Sequence, residues 1–412
     1  MNFPQIYRNL AQLWGRRDTS EFRNDVSPKR ILVDVSVIAQ GDAGTGIQRV
    51  VRGLYLQLQA SLPSDVKLCP VIASRHRGYR IIADDFLYED KVALKLESKD
   101  VSPRAGDVFL GLDLAAHLLP RHARQIRSWR RHGVKIFLFV YDLLPATEPD
   151  WFTPQAGRRF KRWLHFLAIY ADGAICISSH VRDMLVTWLD QFAPGASTDL
   201  SLSTIRLGAD IKETLPSKGV SAELVRLEPR LATMRTILMV GTIEPRKAHS
   251  DVLAAFEHIW RTERGTDIGL VMVGRSGWKT EGIQGQIREH LEMGRRLFWL
   301  DDASDEELDH LYERCSGVLV ASLGEGFGLP LIEAARYGLP ILARDIPVFR
   351  EVAPPWSTFF MGREPMVLAD VILSWQENAK AGDRNSYVPP TWEDSRDDLF
   401  AALNLDAPAR LQ

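Results

Sequence analysis

Cysteine is nearly absent. There are three in 412 residues, Cys69, Cys176 and Cys315, far apart along the chain. No two have the short spacing of a metal-binding pair, so no metal site is expected. An odd, sparse count argues for a reducing compartment and against a disulfide framework. Long apolar runs are missing too. The longest candidate, VKIFLFV at 134–140, has strand length and falls far short of the roughly 18 residues of a membrane span. The opening MNFPQIYRNLAQLWGRR lacks the apolar core of a secretion signal, and a cytoplasmic protein is expected. Neither sign of charge dominates. The net charge is -2, which gives no bulk case for a nucleic-acid partner. Two phosphate-binding signatures are also lacking. No G-K-[ST] loop is present, which disfavours a P-loop NTPase. GTGIQR at 44–49 has Arg49 where a dinucleotide fingerprint needs Gly or Ala, which disfavours a nicotinamide or flavin dehydrogenase.

What is present has the composition of a soluble globular protein, 45% hydrophobic and 25% charged. Its length predicts two or three domains. Short apolar runs alternate with longer helical patterns. ILVDVSVI (31–38), VKLCPVIA (66–73), DVFLGLDL (107–114), VKIFLFVYD (134–142), GAICIS (173–178) and STIRLG (203–208) read as strands in the first half. TILMVG (236–241), IGLVMVG (268–274), LFWLD (297–301), GVLVAS (317–322) and PILARD (340–345) do so in the second. Near-continuous apolar runs between helices indicate buried parallel strands. The fold class is therefore α/β, with the doubly wound pattern appearing twice. Expected boundaries are an N-terminal helical extension at 1–28, a first Rossmann-like domain at 29–215, a linker at 216–233, a second such domain at 234–380, and a C-terminal helix within 381–412. In the extension, Ile6, Leu10, Leu13 and Trp14 fall at helical spacing with Arg8, Arg16 and Arg17 nearby. Two readings stay open: a helix packed on its own domain, or one lying on an acidic membrane surface.

Ligands of open parallel sheets bind beyond the carboxyl ends of the strands, and the unusual polar residues follow strand ends here. TILMVG runs into TIEPRKAHS, LVMVG into RSGWKT, GVLVAS into LGEGFGLP, ILVDVSVI into AQGDAGTGIQRV, and FLFV into YDLLPATEPDWF. Five such loops divided between the halves predict one cleft between two facing domains. Arg246 and Lys247 are adjacent cations before a helix. Arginine offers a planar fork to phosphate oxygens and lysine a compact charge, so a diphosphate suits them; a solvated pair is the plain alternative. In LGEGFGLPLIEAARYGLP (323–340), Pro330 suits a first helical position, and Gly338 and Pro340 an end. Gly324, Gly326 and Gly328 let backbone amides approach a ligand closely. Glu333, on the helix, has the reach to accept from two ribose hydroxyls, and Glu325, in the loop, to meet a sugar. Alternatively, Glu333 only favours the helix N-terminus.

These motifs resemble the retaining GT-B glycosyltransferases of glycosyltransferase family 4, in the mannosyltransferase-like branch of bacterial surface-polysaccharide assembly. The resemblance rests on MVGTIEPRKAHSDVLAAF (239–256), MVGRSGW (272–278), DDASDEELDHLYERC (301–315) and SLGEGFGLPLIEAARYGLPILARD (322–345). GTGIQRVVR, YDLLP and ADGAICISSHV fit more weakly. It implies two facing Rossmann-like domains, the first on the acceptor side and the second holding a nucleotide-sugar donor. It implies diphosphate contacts from Arg246 and Lys247, ribose binding by Glu333, and a grip on sugar and phosphates from Glu325 with Gly326, Phe327, Gly328 and Leu329. Gly241 and Gly274 join the donor site, and Gly44, Thr45 and Gly46 close over the diphosphate. The tail helix after Trp392 crosses back to the first domain. Neither a cofactor nor a divalent metal is implied, because cations and helix ends hold the donor.

One departure from the family stands out. Where many relatives have His before Asp-Leu, this chain has Tyr141 before Asp142. Tyrosine donates a hydrogen bond at neutral pH but does not readily exchange protons there. Tyr141 and Asp142 are both expected on the acceptor side; Asp142 is the better polar candidate, with a cap on the turn before Pro145 as its alternative. The resemblance implies a retained anomeric configuration, with the leaving phosphate accepting the acceptor's proton. Expected partners are a nucleotide sugar, with GDP-mannose first, and a glycan acceptor, lipid-linked at the inner face of the membrane. Rhamnose, fucose, glucose or galactose donors, a nucleotide-sugar epimerase and a catalytically silent scaffold are the alternatives.

Overall fold

Residues 30–42, 44–87, 98–211, 219–379, 381–382 and 386–406 are described in the structure, a computed structural model. The helical extension expected at 1–28 lies outside them. The chain forms two units. Unit 1 holds the described residues up to Thr147, Pro154–Gly208 and those from Thr391 onward; unit 2 holds Glu148–Thr153 and Ala209–Pro390.

In unit 1 the order is β1 (Arg30–Asp34), α1 (Gly46–Ser61), β2 (Lys67–Ile72), β3 (Arg80–Ile81), β4 (Lys99–Asp100), β5 (Asp107–Gly111), α2 (Ala123–Arg131), β6 (Lys135–Val140), α3 (Pro154–Tyr170), β7 (Gly173–Cys176), α4 (Ser179–Phe192) and β8 (Ser201–Thr204). The sheet order is β4-β3-β2-β1-β5-β6-β7-β8. Strands β2 to β8 along this order pair in parallel, and the two-residue strands β3 and β4 add an antiparallel edge. Strands β5 and β7 are buried at every residue, as strands covered on both faces must be. α1 starts where it does because Thr45 and Gln48 form a reciprocal capping box.

Unit 2 contains α5 (Ala222–Leu231), β9 (Arg235–Val240), α6 (His249–Ile259), β10 (Ile268–Val273), α7 (Glu281–Arg288), β11 (Leu297–Leu300), α8 (Asp305–Arg314), β12 (Gly317–Val320), α9 (Leu329–Arg336), β13 (Ile341–Arg344), α10 (Pro347–Val352), β14 (Thr358–Phe360) and α11 (Pro365–Asn378). The order β11-β10-β9-β12-β13-β14 is parallel throughout. The chain winds outward from β9 in one direction and then, with β12, in the other. The switch point therefore lies between β9 and β12, where the loops diverge and leave room for a ligand. Helix α5 occupies much of the stretch expected as linker. Ser221 caps it, and it buries Leu224, Leu227 and Leu231 despite Pro229. Apolar residues at three- and four-residue spacing outweigh the loop-like composition there.

The last described helix, α12 (Trp392–Leu403), belongs to unit 1 and packs on α1. Thr391 and Asp394 box its N-terminus. Trp392 is 0% exposed. Its indole lies where side chains at Gly53 and Gly208 would sit: a Cβ added to either would come within 2.7 or 2.6 Å of the ring. Arg206 adds a bidentate pair to Asp398 at 2.8 and 2.9 Å. Truncating a buried indole costs about 3–5 kcal/mol. Trp392→Ala should lower the denaturation midpoint of unit 1 accordingly, and a urea midpoint matching the wild type would contradict this anchoring.

Candidate active site

The loops after β9 and β12 meet at the switch point of unit 2. Backbone bonds set their approach. Gly241 N donates to Val273 O at 2.8 Å, Ile243 N to Arg275 O at 2.9 Å, and Leu323 N to Arg246 O at 2.7 Å. Gly274 has to be glycine, because a Cβ there would sit 2.2 Å from Gly241 O. A single 3-10 turn, Pro245–Lys247, then presents Arg246 and Lys247 in succession before Ala248 enters α6 with a left-handed φ of 59°.

Both cations grip one carboxylate. Arg246 Nη1 donates to Glu325 Oε2, and Lys247 Nζ to Glu325 Oε1. Arg246 Nη1 also donates to Gly324 O at 3.1 Å, and its Nη2 lies 2.7 Å from Glu244 Oε1. Burial works to raise the Glu325 carboxyl, but Arg246 and Lys247 prevail and pull it down to about 2. Glu325 is thus ionised at any physiological pH. Because this folded value lies below the unfolded one, the cluster's contribution to stability is complete above the unfolded value and is lost only as pH falls through about 2. Glu244, 3% exposed, is shifted the other way. Burial raises it against the pull of the same two cations. With both carboxylates ionised, the two cations and two carboxylates sum to no net charge.

Glu333 lies on α9, beyond this cluster in sequence. It is 1% exposed, and Tyr312 Oη on α8 donates to its Oε2 at 2.8 Å. The Tyr312 ring stacks on Tyr337 with centroids 5.5 Å apart, and Tyr337 in turn donates to Asp309. Gly328 caps α9 with a left-handed φ of 119°, and Phe327 and Leu329 beside it are buried. The structure thus brings Arg246, Lys247 and Glu325 together and gives Glu333 a partner from α8.

In unit 1, Gly44 takes a left-handed φ of 64° ahead of Thr45 and Gly46, the cap and first residue of α1. Tyr141 is 4% exposed and its hydroxyl donates to Leu112 O at 2.6 Å. Burial, with the nearby Asp113, drives its pKa well upward. Asp142 Oδ1 accepts from Leu144 N at 3.2 Å, as a turn cap does. Two carboxylates that sequence reasoning passed over occupy the switch point of this sheet, at the ends of β1 and β5. Asp34, 0% exposed, accepts from Ser36 N at 2.9 Å, Ser36 Oγ at 2.5 Å and Tyr79 Oη at 2.7 Å. Asp113 Oδ2 accepts from Val37 N and Ile38 N, both at 2.7 Å. Burial pushes Asp34 up to about 7 and Asp113 up to about 6. They pin the segment that leads to Gly44. An acidic residue inside ILVDVSVI was the signal that could have found the first. Glu244 was missed as well, although it lies inside the quoted EPRK motif.

Residues 228–387, most of unit 2, match the family described as "Glycosyl transferases group 1". These residues are thus a domain of the group 1 glycosyl transferase family. It is 37% identical over 391 residues to a protein of Escherichia coli named serotype-specific mannosyltransferase WbdA, covering 93% of this chain and 46% of that one. The chain thus spans about half the length of the curated relatives of this type. O-antigen chain mannosyltransferase B of Escherichia coli is 26% identical over 301 residues, 68% of this chain and 76% of that protein. Among solved structures, Anabaena HepE in complex with UDP and glucose superposes with a TM-score of 0.61 at 14% identity, over 92% of this chain and 99% of that one. Sucrose-phosphate synthase from Thermosynechococcus elongatus does so with a TM-score of 0.56 at 17% identity, over 91% and 95%. These likenesses show the GT-B fold. Among the described residues, no cluster of three metal-ligating side chains occurs, and no helix is long and apolar enough to cross a membrane.

Tyr312 thus donates to a carboxylate on the neighbouring element that is only 1% exposed. Tyr312→Phe removes one charge-assisted bond, which should cost about 1.5–3 kcal/mol. Chemical denaturation reads this loss, and a midpoint equal to the wild type would contradict the assignment.

Proposed function

We propose that the chain is a retaining, metal-independent mannosyltransferase. It moves mannose from GDP-mannose to a glycan hydroxyl in the assembly of a bacterial surface polysaccharide such as an O-antigen. The observation that carries the reading is the pair Arg246 and Lys247, aimed at a carboxylate at the β9–β12 switch point. A carboxylate and a phosphate present the same kind of oxygen acceptors, so a diphosphate suits the same donors. The WbdA likeness supports mannose and the O-antigen class of product.

In the reaction the bond from the anomeric carbon to the diphosphate oxygen breaks. A bond from the acceptor oxygen forms on the same face, and the acceptor proton passes to the leaving diphosphate. Negative charge grows on that diphosphate, where Arg246, Lys247 and the N-terminus of α9 stabilise it more than they do the ground state. Gly241, Gly274 and Gly326 to Leu329 let backbone come close to the donor, Glu333 holds the ribose, and Glu325 meets the sugar. Gly44 to Gly46 close over the diphosphate, and Asp142 serves the acceptor. Tyr141 takes no part as a base, since its hydroxyl is committed to Leu112 O. The acceptor is lipid-linked, and the enzyme works at the inner face of the cytoplasmic membrane.

The test is turnover of GDP-mannose with a mannose-terminated acceptor, set beside UDP-glucose and dTDP-rhamnose. GDP-mannose should be the donor consumed. Arg246→Ala and Lys247→Ala should each lower kcat/KM at least tenfold, about 1.4 kcal/mol of transition-state stabilisation. Losses under threefold would sink the charge role. Consumption of donor without any acceptor product would point to an epimerase or hydrolase instead.

A further inference from the structure

Unit 2 carries an aromatic feature that the donor site does not use. Most of the described tryptophans are buried, such as Trp129 at 2%, Trp260 at 8% and Trp299 at 5%, whereas Trp278 is 38% exposed. It is nonetheless rigidly held. Its ring N–H donates to Trp151 O at 2.8 Å, and its face stacks on Phe152 with centroids 5.8 Å apart and planes 28° apart. Next to it Lys279 takes a left-handed φ of 57°, costly for a residue with a side chain, and its ammonium donates to Asp150 O at 2.7 Å. Residues Glu148–Thr153 leave unit 1 in sequence to join unit 2 here.

This loop is fastened to the cation loop. Gly277 N and Thr280 Oγ1 both donate to Ile243 O, at 3.0 and 2.9 Å, and Ile243 N donates to Arg275 O at 2.9 Å. Ile243 is three residues before Arg246. The indole therefore stands at the same carboxyl-end edge of the sheet as the diphosphate-type site, with its orientation fixed in advance. Solvent-exposed Asp150 and Lys279 flank it.

We infer that Trp278, supported by Phe152 and flanked by Asp150 and Lys279, is a stacking platform for a pyranose ring of the acceptor glycan, one that lies beyond the sugar bearing the reactive hydroxyl. A pyranose presents a patch of C–H groups to an aromatic face while its rim of hydroxyls needs polar partners. A partly exposed indole, with the exposed polar residues Asp150 and Lys279 in the segments that hold it, meets both needs. Binding energy drawn from a non-reacting sugar serves to position the reacting one. A rigid platform does so without the ordering cost of a mobile side chain. This inference rests on the proposed transferase reading.

The experiment compares two acceptors, α-linked mannotetraose and methyl α-mannoside, in the wild type, Trp278→Ala and Trp278→Phe. GDP affinity is measured in each by calorimetry. For Trp278→Ala, KM for mannotetraose should rise at least fivefold, KM for methyl mannoside should change less than twofold, and GDP affinity should stay within twofold. Trp278→Phe should recover part of the loss. Equal KM rises for both acceptors, or no rise for mannotetraose while transfer persists, would overturn the platform. A matching loss of GDP affinity would make the indole a nucleobase shelf or a packing residue and overturn it as well. If the wild type transfers no mannose, the transferase reading fails separately. Direct calorimetric binding of mannotetraose to wild type and Trp278→Ala then decides the platform, and equal affinities count against it.

Discussion

Glu325 clasps two loops that a backbone bond, Leu323 N to Arg246 O at 2.7 Å, already brings together. It sits after β12, its partners Arg246 and Lys247 after β9, and its two oxygens are divided between them. A carboxylate so little exposed would be unfavourable by itself, and two adjacent cations so close would repel each other. Together they satisfy one another, and Glu244 takes up the remaining side of the guanidinium. Burying such a cluster gains little net stability over an apolar core, and losing one member leaves an uncompensated charge. What the arrangement secures is geometry. The sheet's switch point becomes a place where donors and acceptors are fixed before any ligand arrives.

The proposed chemistry follows from this prior engagement of the cations. A diphosphate entering the site meets cations already engaged by a carboxylate, so it must share or exchange their donors. Arginine has five N–H groups and lysine three, enough for both, but the attraction is weaker than two free cations would give. Donor binding and Glu325 are thereby coupled. As the bond to the sugar breaks and charge builds on the diphosphate, the balance tips toward the leaving group. Stabilisation then grows in the transition state, which is the differential binding that catalysis requires.

Much of this was legible in the sequence because it is local. Near-continuous apolar runs marked the buried parallel strands, capping pairs such as Thr391 with Asp394 marked helix starts, and LGEGFGLPLIEAARYGLP marked a glycine loop running into a short helix. Other features depend on where the chain returns in space. No local pattern tells that Tyr312 donates to Glu333 from another helix, or that Asp34 and Asp113 close the switch point of the first sheet. The two-residue strands β3 and β4 are too short to carry a periodicity. Helix α5 hid behind a proline and flanking charges that read as linker. The excursion of Glu148–Thr153 was invisible because its reason, the Trp278 indole, lies over a hundred residues further on.

The coupling between Glu325 and the cation pair is open to one direct measurement: calorimetric titration of GDP, without sugar, into the wild type and Glu325→Gln. Gln keeps the shape and removes the competing charge. If the carboxylate stands in for the diphosphate, the variant should bind GDP several-fold more tightly, by about 1 kcal/mol or more for a charge-assisted contact made available. Unchanged or weaker GDP binding in a variant whose circular dichroism spectrum matches that of the wild type would contradict it.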